Sequence, residues 1–116
     1  MVIGKDCKNV SAADALNYVL GYTTANDLTA RNIQDTVSQW CYCKGFDGFC
    51  PLGPALVSAK AILDPSKLFV KTVLNGMTMQ DLTTDNMIFS IPEIISYLSE
   101  VRPVRFRIAF ARNTNR

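Results

Sequence analysis

The stretch Gly21-Tyr22-Thr23-Thr24-Ala25-Asn26-Asp27-Leu28-Thr29-Ala30-Arg31-Asn32-Ile33-Gln34, followed by Trp40-Cys41-Tyr42-Cys43-Lys44-Gly45-Phe46, decides how the rest of the chain is read. Its first half reads as a strand that delivers one carboxylate, Asp27, beside a turn opening onto Arg31 and Gln34. Unpaired charge is costly to bury, so this trio suits a cavity or a cation better than a core. A second reading stays open, in which Asp27 only caps the short helix that follows. That helix is predicted over residues 29–39, with Thr29 at its cap and Ile33 and Val37 pointing inward. Arg31 and Gln34 lie three apart and share a face, turned either to one ligand or to solvent.

Residues 40–54 are expected to be irregular, because Gly45, Gly48, Pro51, Gly53 and Pro54 break any regular period. Loops on a rigid scaffold are where sites tend to be built. Lys44 is the only cation between Arg31 and Lys60, and its neighbours in sequence are Tyr42, Cys43, Gly45 and Phe46. An ammonium held among such residues is partly desolvated and becomes a stronger donor to a developing oxyanion. The alternative is a surface lysine whose stem lies along apolar neighbours.

Around this stretch the chain supplies scaffold signals. Ser11 and Asp14 mark a helix start, and Ala15, Leu16, Val19 and Leu20 continue it on one stripe up to a stop at Gly21. Residues 55–58 are predicted as a short buried strand, and Asp64-Pro65-Ser66 as a turn. Asn75-Gly76 between residues 68–74 and 77–80 is a hairpin signal, since a type I′ turn needs positive φ at both central positions. Residues 81–86 are expected to be a polar connector. A last helix opens at Ser90 with Glu93 answering back, Pro92 in the first turn and a Phe89–Ile94 staple. Ile91, Ile94, Ile95 and Leu98 form its apolar face.

With 116 residues, 48% hydrophobic and 19% charged, the chain is one globular domain at most, large enough to bury roughly two-thirds of its extended surface. No apolar run approaches the roughly 20 residues of a membrane span, and residues 1–6 lack the succession of a signal peptide. The expected location is cytoplasmic, with a mitochondrial address as the alternative. Residues 1–100 carry seven Lys and Arg against ten Asp and Glu, whereas residues 101–116 carry five Arg and no acid. That tail reads either as a basic arm for nucleic acid or as a non-homologous end, the preferred reading. Residues 104–108 alternate apolar and Arg and fit an edge strand. Cys7, Cys41, Cys43 and Cys50 lack the paired spacing of a closed zinc site, and there is no histidine. They are expected to be small buried thiols in a reducing compartment.

Residues 21–34, Lys44-Gly45-Phe46-Asp47 and Pro51-Leu52-Gly53-Pro54 together resemble the fumarylacetoacetate hydrolase family, including its acylpyruvase and isomerase-decarboxylase branches. Leu74-Asn75-Gly76, Gln80-Asp81, Asp85-Asn86-Met87-Ile88-Phe89 and Ile94-Ile95-Ser96-Tyr97-Leu98 extend the resemblance in order. It implies an α+β fold, a β-rich mixed sandwich or roll, with a partial catalytic domain over residues 1–100. It also implies a divalent cation, Mg²⁺ or else Mn²⁺ or Ca²⁺, with Asp27 as one of three carboxylate ligands. Arg31 and Gln34 then line the substrate pocket, and Lys44 contacts the substrate or its oxyanion. The substrate is a small 1,3-diketo or β-keto acid, whose enolate the ion stabilises as a C–C bond breaks. The family's Glu-x-Glu pair stands just ahead of Val2 and its His/Glu acid–base pair farther upstream, so this chain carries neither and is expected to be impaired alone. The resemblance implies a homodimer, or pairing with a full-length paralogue.

Overall fold

A computed structural model describes residues 1–104. Among them lie five strands, β1 (Val2–Ile3), β2 (Val19–Ala25), β3 (Leu52–Ser58), β4 (Phe69–Leu74) and β5 (Met77–Thr83). Three α-helical segments, α1 (Arg31–Gln34), α2 (Cys41–Lys44) and α3 (Ile91–Val101), complete an α+β fold. β1, β2 and β3 are neighbours in that order in one sheet, and β4 and β5 form another. The chain divides into two compact units, Met1–Tyr22 with Val57–Arg116, and Thr23–Leu56.

In the first unit, β1 runs antiparallel to β2, with Val2 opposite Gly21 and Ile3 opposite Val19. The helix expected over residues 11–20 is replaced by a 3-10 turn at Ala15–Tyr18 that leads straight into β2. Ser11 does hold Asp14, by a 2.7 Å side-chain bond and by accepting the Asp14 N–H at 3.2 Å. The turn ends because the next residues, Val19 to Thr24, are rich in β-branched and aromatic types that fit a pleated surface, and β1 offers them a ladder. Gly21 is therefore a strand residue and not a helix stop.

The core of this unit gathers Ile3, Cys7, Val10, Ala15 and Val19 against Ile91 and Ile95 of α3. α3 begins as its sequence requires: Ser90 Oγ accepts the Glu93 N–H, and the Glu93 carboxylate accepts the Ser90 N–H at 2.7 Å. Ile91 and Ile95 turn inward one helical turn apart, while Leu98 stays exposed. At the far end Ser99 is fully buried, but it is satisfied by accepting the Val10 N–H at 2.9 Å and donating to the Ser96 carbonyl. Val104 exchanges two 2.9 Å backbone bonds with Cys7. The remainder of the edge strand expected over residues 104–108 lies outside the described residues, as does most of the arginine-rich tail.

β4 and β5 form the expected hairpin. Leu74 faces Met77 across Asn75 (φ 51°) and Gly76 (φ 81°), the two positive φ values that a type I′ turn demands. β5 continues to Thr83, so residues 81–83 are strand and residues 84–86 a 3-10 turn, in place of the polar connector. The ladder is longer because Lys71 and Asp81 are cross-strand partners whose charges meet at 3.6 Å.

The second unit holds two single-turn helices. α1 covers four residues where eleven were expected, and Val37 is 42% exposed. The Thr36 hydroxyl bonds back to the Ile33 carbonyl at 2.7 Å, a local contact that competes with the helical ladder. The irregular segment expected at residues 40–54 contains α2 and the start of β3. β3 begins at Leu52 and not at Ala55, and it is largely exposed, contrary to the buried strand predicted there.

The α3 cap is testable. Its Ser90 hydrogen bonds, side chain first and then backbone, hold the Glu93 carboxyl below its ordinary range. A carboxyl depressed on folding stabilises the protein above its unfolded pKa and loses that effect as pH falls through the folded value. Ser90→Ala is expected to lower unfolding free energy at neutral pH by about 1 kcal/mol. In denaturant titrations the gap from the parent chain should shrink below pH 4.5, the ordinary glutamate value. A gap that stays constant or widens on acidification would show that the Ser90–Glu93 pair is not ionic in the fold.

Candidate functional site

The four residues singled out in the sequence all lie in the Thr23–Leu56 unit. Past the end of β2 the Asn26 N–H donates to the Pro51 carbonyl at 3.1 Å, and the Leu28 N–H donates to the Asn26 carbonyl at 3.0 Å, a tight turn about Asp27. Asp27 follows, its side chain 46% exposed. Ala30 stands at the N-cap of α1 with no side-chain cap bond, so Asp27 does not serve as the cap of that helix, and neither does Thr29. Instead the Asp27 carboxylate takes a hydrogen bond and ion pair from Lys44, with Nζ to Oδ2 at 2.6 Å.

Lys44 reaches Asp27 because of α2. Cys43, the residue before it, is fully buried and its thiol lies 3.1 Å from the Trp40 carbonyl. Gly45, the residue after it, donates its N–H to the Cys41 carbonyl at 2.8 Å, and a Cβ there would sit 2.8 Å from that same oxygen. Only glycine lets the chain leave α2 at this angle, so Lys44 stands between a buried anchor and a residue that cannot carry a side chain. The lysine side chain is only 20% exposed. The Ala30 N–H donates to the Cys43 carbonyl at 2.9 Å. This backbone bond joins the residue before Arg31 to the residue before Lys44.

Arg31 and Gln34 share the face expected of their spacing. Arg31 Nη1 donates to Gln34 Oε1 at 2.6 Å, which engages one of the five guanidinium donors. The site therefore has two cationic groups on adjoining turns, each steadied by a neighbour. One further residue belongs to it that its sequence position marked as a helix cap: Thr29, whose Oγ1 accepts from Lys44 Nζ at 2.9 Å. No spacing rule marked it, because its place beside Lys44 follows from the tight turn that the Leu28 N–H makes to the Asn26 carbonyl at 3.0 Å.

Cys41 is exposed and Cys50 half-buried, so only Cys7 and Cys43 are the buried thiols expected of all four. Cys41 lies on the outward side of a helix too short to bury both of its cysteines. Among the described residues no three His, Cys, Asp or Glu gather in one place. No described helix is long and apolar enough to cross a membrane. Clefts of about 400 and 340 Å³ occur in the other unit, and none of the four residues lines them.

Residues 1–106 match the family described as fumarylacetoacetate (FAA) hydrolase C-terminal. An oxaloacetate tautomerase of Bacillus subtilis is 44% identical over 100 residues, 86% of this chain and 33% of that protein. The crystal structure of a 2-hydroxyhepta-2,4-diene-1,7-dioate isomerase from Mycobacterium marinum superposes with a TM-score of 0.82 at 41% identity, covering 90% of this chain and 40% of the other. A fumarylacetoacetate hydrolase from Exiguobacterium antarcticum gives a TM-score of 0.85 at 33% identity, over 90% and 38% of the two chains. The chain spans less than half the length of the curated relatives it matches. With its motifs, its α+β fold and this match over most of its length in agreement, the chain belongs to the fumarylacetoacetate hydrolase family.

Proposed function

We propose that this chain carries the substrate-facing side of a site for small 1,3-diketo or β-keto acids, of the acylpyruvate or oxaloacetate type, whose C–C bond is broken by hydrolysis or decarboxylation. The observation that supports it best is the Ala30–Cys43 backbone bond, which joins the residue before Arg31 to the residue before a Lys44 already gripped by Asp27. A keto acid asks for two cationic partners: one for its carboxylate and one for the oxygen that gathers charge as the bond breaks. Arg31, oriented by Gln34, suits the first, since a guanidinium fork matches a carboxylate. Lys44 suits the second, because an ammonium with little water around it stabilises an enolate oxygen better than one in bulk solvent. Two of its three protons are engaged by Asp27 and Thr29. The third has no partner among the described residues and is the one a substrate oxygen takes. Keto–enol exchange, the reaction in the name of the Bacillus subtilis relative, passes through the same enolate and calls on the same two donors.

The resemblance also implies a divalent cation, Mg²⁺, Mn²⁺ or Ca²⁺, and Asp27 is the residue that would hold it. Such ions take about six or more oxygen ligands, whereas Asp27 offers one carboxylate that is already engaged by Lys44. The described residues do not complete that ligand set. The consequence is a chain that binds keto acids weakly and turns them over poorly by itself.

The chain with Mg²⁺ and either oxaloacetate or an acylpyruvate should show no turnover above metal alone, followed by enol absorbance. Oxalate, a planar mimic of the enolate, should still bind in calorimetry, and Arg31→Ala should weaken it by about tenfold, the usual effect of losing a hydrogen bond to a charged group. Turnover that survives repurification and vanishes in Asp27→Ala, or oxalate binding indifferent to Arg31, would contradict the proposal.

A partner is the second part of this reading, favoured by the β4–β5 hairpin. Phe69 is 80% and Met77 64% exposed, and a two-stranded hairpin with this much apolar surface in water is marginal alone. The proposed occupant is a second copy of the chain or a longer member of the family. Sedimentation velocity should then give a dimer that dissociates on dilution. A monodisperse monomer at every concentration, with no co-purification of the longer relative, would remove this part.

A further inference from the structure

We infer that Thr29 is a positioning residue for Lys44, holding the ammonium through its hydroxyl at 2.9 Å so that the donor meant for substrate keeps one direction. The inference rests on the reading that Lys44 meets a substrate oxygen. An ammonium has donors and no acceptor, so at this contact the Thr29 oxygen must accept. The single Thr29 proton is directed elsewhere, toward the Asp27 carbonyl at 3.3 Å. The hydroxyl thus offers its lone pairs to Lys44 and cannot turn its proton against the ammonium without giving up that contact.

Geometry gives this acceptor its importance. A lysine stem is flexible, and an ammonium held by Asp27 alone is free to rotate about the Nζ–Oδ2 line. A second acceptor removes that freedom. With two protons committed, at 2.6 Å to Asp27 and 2.9 Å to Thr29, tetrahedral geometry fixes where the third points. Threonine is suited to this because its branched Cβ leaves χ1 stiff. Thr29 is half-buried, and the backbone bond from Ala30 to Cys43 ties the next residue to the α2 turn that carries Lys44. Asp27 supplies charge; Thr29 supplies direction.

The test uses the whole chain without ligand: competitive labelling with a limiting amine reagent, read by peptide mass spectrometry as the ratio of Lys44 to the exposed Lys60. Alkylation of the buried Cys43 is read in the same samples. Thr29→Val, nearly isosteric but without the acceptor, should raise the Lys44 to Lys60 ratio by about fivefold, the scale of one lost hydrogen bond. Thr29→Ser should keep the parent ratio, and Cys43 should stay protected in both. An unchanged ratio in Thr29→Val overturns the inference. So does a rise in Lys44 and Cys43 labelling together, because Thr29 would then hold the loop and not the ammonium. No keto acid is present in this assay, so its failure would leave oxalate binding by Arg31→Ala as a separate test of the site itself.

Discussion

The pairing of the Lys44 ammonium with the Asp27 carboxylate at 2.6 Å is the contact on which the Thr23–Leu56 unit turns. Its worth is not mainly in stability. With its carboxylate half exposed, the pair contributes at most about 1 kcal/mol after screening and side-chain ordering. What it provides is placement. The two groups lie seventeen positions apart in the chain, and the Ala30–Cys43 backbone bond closes the loop between them. Gly45 and the buried Cys43 then leave Lys44 little choice of direction.

The other unit is scaffold. α3 is nucleated by a complete capping box and anchored by Ile91 and Ile95, while Ser99 and Val104 tie its far end to Val10 and Cys7. These are ordinary means, and no chemistry follows from any of them. The proposed site sits where regular structure is shortest, in two single-turn helices and the turn that leads into them, as expected of sites carried on loops.

How far the sequence could be read follows from which forces were local. The Asn75-Gly76 hairpin and the Ser90–Glu93 cap depend on φ preferences and on hydrogen bonds three residues apart, and both stand where the residues put them. The Arg31–Gln34 pair was legible for the same reason. Residues 15–20 were misjudged because their helical spacing is real but weaker than the ladder β1 offers to Val19 and Gly21, a partner sixteen or more positions away. Thr29 was misjudged because its acceptor role exists only once Lys44 is brought across. Spacing along the chain gave Asp27 and Lys44 as candidates, family resemblance gave them roles, and only the folded chain shows their contact. The run of exposed apolar residues on β4 and β5 was not legible either, since alternation reports a half-buried face and not an exposed one.

Heteronuclear magnetic resonance of the lysine ammonium groups tests the central contact most directly. The Lys44 NH₃⁺ resonance should be resolved from those of the exposed lysines, exchange slowly with water, and merge with them in Asp27→Asn. A Lys44 signal indistinguishable from Lys5 and Lys60 in the parent chain would mean that the ammonium is not held by Asp27, and the account of the site would fall with it.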